Sequence, residues 1–347
     1  MTSERIVGAL WGVAAILLVA ALVVPAATRP STRLPPVAAA DLIASIRQSK
    51  PGPLTGNVQF HEQLGLAGLS GLSHSPDGTR TARLWSDGAG RHRISLPSDG
   101  GERTVVDDGS TVWSWDSATR AVTKSPSEGE HPVDRHPLGQ LGSSDAERGG
   151  GLLANPADAA SALLAMLEPS STVRVEAVSL VANRPAYQLV LDPLPTERTL
   201  MREVRVAVDG ETRLPLEVTV MANGSTEPAL RVGFSDLTFG PQSPALFAFT
   251  PPSGVAVHDR PGRAESRAHV RTLVGEGWDT VLVRTARTPE NSLLMQRLST
   301  PISGAWGQGR LVRTSIGNAV LAADGRVALG AVPAQVLTEA LSQAPAR

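Results

Sequence analysis

The chain has no cysteine in its 347 residues. That excludes disulfides, thiolate metal sites, cysteine nucleophiles and a lipidated N-terminal cysteine. Lysine is nearly missing too: Lys50 and Lys124 stand alone, so arginine supplies almost all of the 32 basic residues. This bias reads as the codon usage of a GC-rich genome. The 33 acidic residues leave a formal net charge of −1, which excludes the cationic footprint of a nucleic-acid binder. Aromatic residues make up only 3%, and Tyr187 is the single tyrosine, so no aromatic-rich lining is available. What is present, 41% apolar and 19% charged residues, belongs to a globular chain long enough for two domains. Such a chain can bury enough core to fold outside the cytoplasm without disulfides.

After the short MTSERI comes an uncharged apolar run, VGALWGVAAILLVAALVVPAA, at residues 7–27. A helix of that length just spans roughly 30 Å of hydrocarbon. Arg5 and the amino terminus make the leading end mildly positive. The run reads as an uncleaved signal-anchor, or as a signal peptide if it is cut near Val24-Pro25-Ala26. Either way the remainder is expected on the extracytoplasmic side of the cell membrane, or secreted if cut.

The Pro-rich TRPSTRLPP that follows is a spacer. Residues 39–50 place Leu42, Ile43 and Ile46 on one side of a helix. From Leu54 to about Thr123 short β-like runs are separated by Asp77-Gly78, Asp87-Gly88, Asp99-Gly100 and Asp108-Gly109, the turn signal of an antiparallel meander. A polar, Gly- and Pro-rich loop at 125–152 leads into NPADAASALLAMLE. There Asn155 caps, Pro156 suits the first turn, and Ala160, Leu163, Leu164 and Leu167 form a stripe. Strands resume from about 172 to 239. Beyond Pro261 a helix is expected over 265–275, then strands, then a closing helix with Val336, Leu337, Ala340 and Leu341 inward. The expected boundaries are 1–28 for the signal segment, 29–38 and 259–264 for linkers, 39–258 for a first domain and 265–347 for a small C-terminal α+β domain.

No constellation for catalysis emerges. His61-Glu62 lacks the second histidine of a metalloprotease helix. His131 and His136 lie in a polar loop. GLAGLSGLS at 65–73 is neither a nucleophile elbow nor a phosphate loop. Asp107 and Asp108 are explained by the turn, and Asn223-Gly224 reads as a hairpin turn. The chain is expected not to be an enzyme and to need no cofactor and no metal.

Trp113 and Trp115 in TVWSWD share one face of a strand. They are sheet core beneath a helix, a sugar platform, or the wall of an apolar pocket. The segment resembles the LolA-like superfamily of outer-membrane lipoprotein-sorting proteins in Asp108, Gly109, Trp113, Trp115 and Asp116. Three later segments resemble the same family in the same order: NRPAYQLVLDP (183–193), VRVAVDGETRLPLEVTV (204–220), and FSDLTFGPQSPALFAFTPPSGVAV (234–257) with its Phe249, Pro251-Pro252 and Gly254. Asn183 replaces a family glycine. GWDTVLV (277–283) and SGAWGQGRLVRTSIGNAVLAADGRVALGAVP (303–333) are similar to the C-terminal units of two-domain actinobacterial relatives and, more loosely, to the second domain of periplasmic sigma-factor regulators of the RseB/MucB type.

The resemblance implies a curved, incompletely closed antiparallel half-barrel with helices on its concave side. The implied function is a membrane-tethered carrier of a lipid or lipoprotein acyl chain. The alternative is a regulatory or scaffold protein that binds a membrane protein partner through its C-terminal domain. The groove residues it suggests are Trp113, Trp115, Leu163, Leu167, Tyr187 and Leu189, with the helix 156–167 as a lid. Ten buried methylenes would contribute about 8 kcal/mol before the costs of binding.

Overall fold

A computed structural model describes residues 34–64, 79–98, 100–127, 155–259, 271–285 and 297–344. Residues 36–347 form one compact unit, to which everything below belongs. The apolar run at 7–27, the GLAGLSGLS segment, His131 and His136 lie outside the described residues. So does all but the first three residues of the 125–152 loop. Among the described residues no helix is long and apolar enough to cross a membrane.

Among the described residues the first sheet has twelve strands. After α1 (Ala39–Gln48) come β1 (Leu54–Glu62), β2 (Thr79–Ser86), β3 (His92–Ser98), β4 (Gly101–Asp107), β5 (Thr111–Asp116) and β6 (Ala121–Pro126). Then follow α2 (Pro156–Leu167), β7 (Ser171–Val181), β8 (Arg184–Pro193), β9 (Met201–Asp209), β10 (Pro215–Ala222), β11 (Pro228–Phe239) and β12 (Val257–Asp259). The strand order is β12-β6-β5-β4-β3-β2-β1-β11-β10-β9-β8-β7. Every pairing is antiparallel except β12 on β6. The meander–helix–meander order expected from the sequence is thus present, and the sheet is open, with β12 and β7 at its edges. Its curvature is strong where β7 touches β11. In a flat sheet those two strands would stand about 19 Å apart, four strand spacings.

Of the Asp-Gly turns, those at Asp87-Gly88 and Asp108-Gly109 form as read, while Asp77-Gly78 and Asp99 lie outside the described residues. At Asp87-Gly88 the carboxylate accepts from the amides of Ala89 (2.8 Å) and Arg91 (2.9 Å). Gly88 sits at φ +71°, where a Cβ would also meet the Gly52 backbone at 2.8 Å, so only glycine fits. Asn155 caps α2 by accepting from the Ala157 amide at 3.1 Å.

The second sheet runs β13 (Arg271–Val274), β14 (Val281–Thr285), β18 (Arg326–Gly330), β17 (Asn318–Ala322), β16 (Gly307–Arg313) and β15 (Ser299–Gly304). α3 (Ala334–Gln343) packs on β14, β17 and β18. Its Val336, Leu337, Ala340 and Leu341 are buried with Val281, Val320 and Ala328, as the helical spacing predicts. The helix expected over 265–275 is corrected in part: Arg271–Val274 is a strand. Pairing with β14 lets Val274 pack on this second core while Leu273 stays 46% exposed, a period-two pattern.

Candidate functional site

The register of the first sheet separates its two faces. Directly paired residues share a face. One face runs from Val105 through Ile94 and Leu84 to Gly56, then along β1 to Phe60, and on through Val232, Val218 and Val206 to Leu189. Apart from Gly56, these are buried aliphatic or aromatic side chains. α2 packs against β10 and β11, and Ala157 in its first turn joins the cluster of Val58, Phe60 and Phe234. Ala160, Leu164 and Leu167 of α2 are fully buried, the apolar complement of that sheet face. Leu163 is only half-buried. α1 is tied beside α2 by the ion pair Arg47–Glu168, and its end is held by Ser49 Oγ donating to the Thr212 carbonyl at 2.9 Å.

The opposite face carries the tryptophans. Trp113 pairs with Val106, Val106 with Arg93, Arg93 with Trp85 and Trp85 with Thr55. Along β1 the face continues to Gln59, then to Gly233, Glu217, Ala207 and Gln188. Tyr187 and Leu189 flank Gln188 and point the other way. The six residues suggested for one groove are therefore divided: Trp113 and Trp115 lie on one face, Tyr187 and Leu189 on the other. A resemblance read strand by strand fixes the strand and not the face. Trp113 is covered by the segment after β11, its ring 5.6 Å from that of Phe249. Its indole donates to Asp108 Oδ2 at 3.2 Å. Phe247, on the 3-10 turn Pro244–Phe247, is fully buried nearby, and Arg93 donates to the Leu246 carbonyl at 3.4 Å. Trp113 and Trp115 are both partly exposed.

Tyr187 has a cationic neighbour that the sequence reading did not pick out. The Arg213 guanidinium stacks on its ring at 4.8 Å. Arg213 lies in the turn between β9 and β10, at a left-handed φ of +63°. Below it, Asp209 is 1% exposed and takes Arg184 Nε and Nη2 together with the amides of Glu211 (2.7 Å) and Thr212 (2.9 Å). Burial pushes the Asp209 carboxyl up, but these four donors outweigh it and hold the group below the usual carboxylate range.

A cavity of about 700 Å³ opens between the end of β7 and strands β10 and β11. It is lined by Leu180, Gln188, Arg205, Glu217, Thr219 and Arg231 among others, a largely polar wall. A second, of about 300 Å³, lies between β15 and α3 beside Trp306. Neither is lined by any of the six suggested groove residues. Among the described residues no group of three or more His, Cys, Asp or Glu side chains is placed to hold a metal ion.

The second sheet docks at the end of α2. Trp278, on the 3-10 turn Gly277–Asp279, is 1% exposed. Its indole donates to Ser171 Oγ at 2.9 Å, and its amide to Glu197 Oε2 at 3.1 Å. Arg198 bridges Asp279 (3.1 Å) and Glu339 (2.8 Å). The Leu200 amide and Thr199 Oγ1 both donate to the Ala331 carbonyl. Burial, with Asp279 close by, raises the Glu197 carboxyl above its ordinary value.

No family model matches this chain, and no curated protein matches it. Several solved structures are similar to it. The structure titled as the complex of Pseudomonas aeruginosa MucA and MucB aligns at 17% identity over 87% of this chain and 96% of that one, with a TM-score of 0.44. A LolA superfamily protein from Nitrosomonas europaea aligns at 10% identity over 62% of this chain and 99% of that one, with a TM-score of 0.26. An outer-membrane lipoprotein-sorting protein domain from Vibrio parahaemolyticus aligns at 13% over 58% and 93%, with a TM-score of 0.21.

Proposed function

We propose that the chain is an extracytoplasmic, membrane-tethered binding protein, without catalysis, that takes the acyl chain of a lipid or lipidated protein. One observation carries the reading. Among the described residues the aliphatic face is covered by helices, α2 on β10 and β11 with the shorter α1 beside it, its Leu42, Ile43 and Ile46 buried. Lifting α2 uncovers a dry apolar surface that an acyl chain can cover in its place. Each methylene buried contributes about 0.8 kcal/mol, so a long chain competes with the packing of Leu164 and Leu167. The residues expected to meet the chain are Leu163, Leu167, Tyr187 and Leu189. Trp113 and Trp115 lie on the other face, where Trp113 packs against Phe249. Mass spectrometry of protein purified from its native membrane tests the reading. Co-purifying lipid is expected, and protein that repeatedly emerges free of lipid contradicts it.

A second reading is favoured by the docking of Trp278 beside the end of α2. A helix that moves for a ligand also disturbs the second sheet, so the C-terminal unit can report occupancy to a membrane protein partner, as a regulator would. A complex lost on deleting residues 265–347 supports this role, and interactions unchanged by that deletion refute it.

A further inference from the structure

We infer that Arg213, held against Tyr187, is the anchor for an anionic oxygen-bearing group, a carboxylate or a phosphate ester, at the polar end of the acyl ligand. The inference rests on the reading above and names the ligand's other end. A guanidinium carries five N–H donors and is charged at every accessible pH. The side chain of Arg213 makes no hydrogen bond and no ion pair among the described residues, and its Nη1 is buried without a partner. The two nearest acidic residues in its own turn are already committed: Asp209 and Glu211 both pair with Arg184. The turn therefore spends its two carboxylates on one arginine and leaves the other unmatched beside Tyr187, on the face that also carries Leu189.

Backbone geometry points the same way. A left-handed φ at a long, branched-fork residue is a cost that asparagine or glycine would avoid. Ser49 at the end of α1 pins the adjacent Thr212 carbonyl, so the turn is fixed rather than free to carry Arg213 into solvent. A fork of this kind pairs with carboxylate or phosphate through two parallel hydrogen bonds, which a neutral headgroup cannot supply.

The test uses the full chain in detergent and a fluorescent undecanoic acid beside its methyl ester. Wild type is expected to bind the acid at least tenfold more tightly than the ester. Arg213→Gln should lose that tenfold preference, about 1.4 kcal/mol, while binding the ester as wild type does. Arg213→Lys should retain part of it, and a melting curve for each variant separates lost affinity from lost folding. Displacement of the fluorescent acid by phosphatidylglycerol but not by diacylglycerol, which has no phosphate, would extend the site to phosphate esters. If inorganic phosphate alone displaces the acid from wild type but not the ester, the anchor accepts free anions too, as the inference expects. Equal binding of acid and ester, unchanged by Arg213→Gln, overturns the inference and leaves the acyl reading standing. Failure of both probes to bind wild type overturns the acyl reading and the inference with it.

Discussion

Asp209 shows how one side chain can organise a turn. It is buried, paired with Arg184, and bonded to the amides of Glu211 and Thr212. Replacing it with asparagine leaves Arg184 without its main partner in a largely desolvated place, and should cost about 3 kcal/mol at neutral pH. Its pKa is depressed in the folded chain. The stability it contributes is thus fully present above the ordinary carboxylate value and lost as pH falls through the lower folded value. Urea titrations of wild type and Asp209→Asn should therefore differ at pH 7 and converge towards pH 2; a gap that persists in acid would contradict the assignment. Glu197 runs the opposite way. Its raised pKa means that the ionised form opposes folding, so its site gains stability as pH falls through the folded value towards the ordinary one. Glu197→Gln keeps an oxygen for the Trp278 amide and should be neutral or stabilising at pH 7, with that pH dependence removed. A marked loss of stability at pH 7 would show that the charge is needed.

At the level of helices and strands, α2 is the element on whose packing the proposed acyl binding turns. Leu164 and Leu167 are fully buried and Leu163 only half-buried. Leu164→Ala should cost about 2–5 kcal/mol in urea unfolding, and Leu163→Ala less than half as much. Equal costs would mean that the helix presents a different side to the sheet. Much here was legible in advance. Asp87-Gly88 and Asp108-Gly109 located the β2–β3 and β4–β5 hairpins, Asn155-Pro156 located the start of α2, and the stripe placed Ala160, Leu164 and Leu167 inward. Leu163 was not separable from Leu164, because adjacent helical positions differ by 100° and both lie within a wide apolar arc. β13 escaped because TLV carries no helix stop signal, and its strand character comes from pairing with β14. The opposed faces of Trp113 and Tyr187 were invisible for a deeper reason. Alternation within a strand is local, whereas which face two distant strands share depends on the register of every strand between them. Arg213 was passed over because an arginine beside acidic neighbours reads as paired. Only the geometry shows that Arg184 has taken them.

At the scale of the whole molecule, the two sheets meet at Trp278, Arg198 and the Ala331 carbonyl, next to the end of α2, the helix that the acyl proposal moves. Gly277 sits at φ +56°, and a Cβ there would run into Ser170 Oγ. The acyl account demands that α2 leave β10 when a ligand enters, and the cysteine-free sequence makes that directly testable. A cysteine on the buried side of α2, paired with one facing it on β10, would give a disulfide with no competing thiol. Binding of the fluorescent undecanoic acid should be abolished in the oxidised protein and restored by reductant. Undiminished binding with the helix locked in place would contradict the proposal that the acyl chain replaces α2 on the sheet.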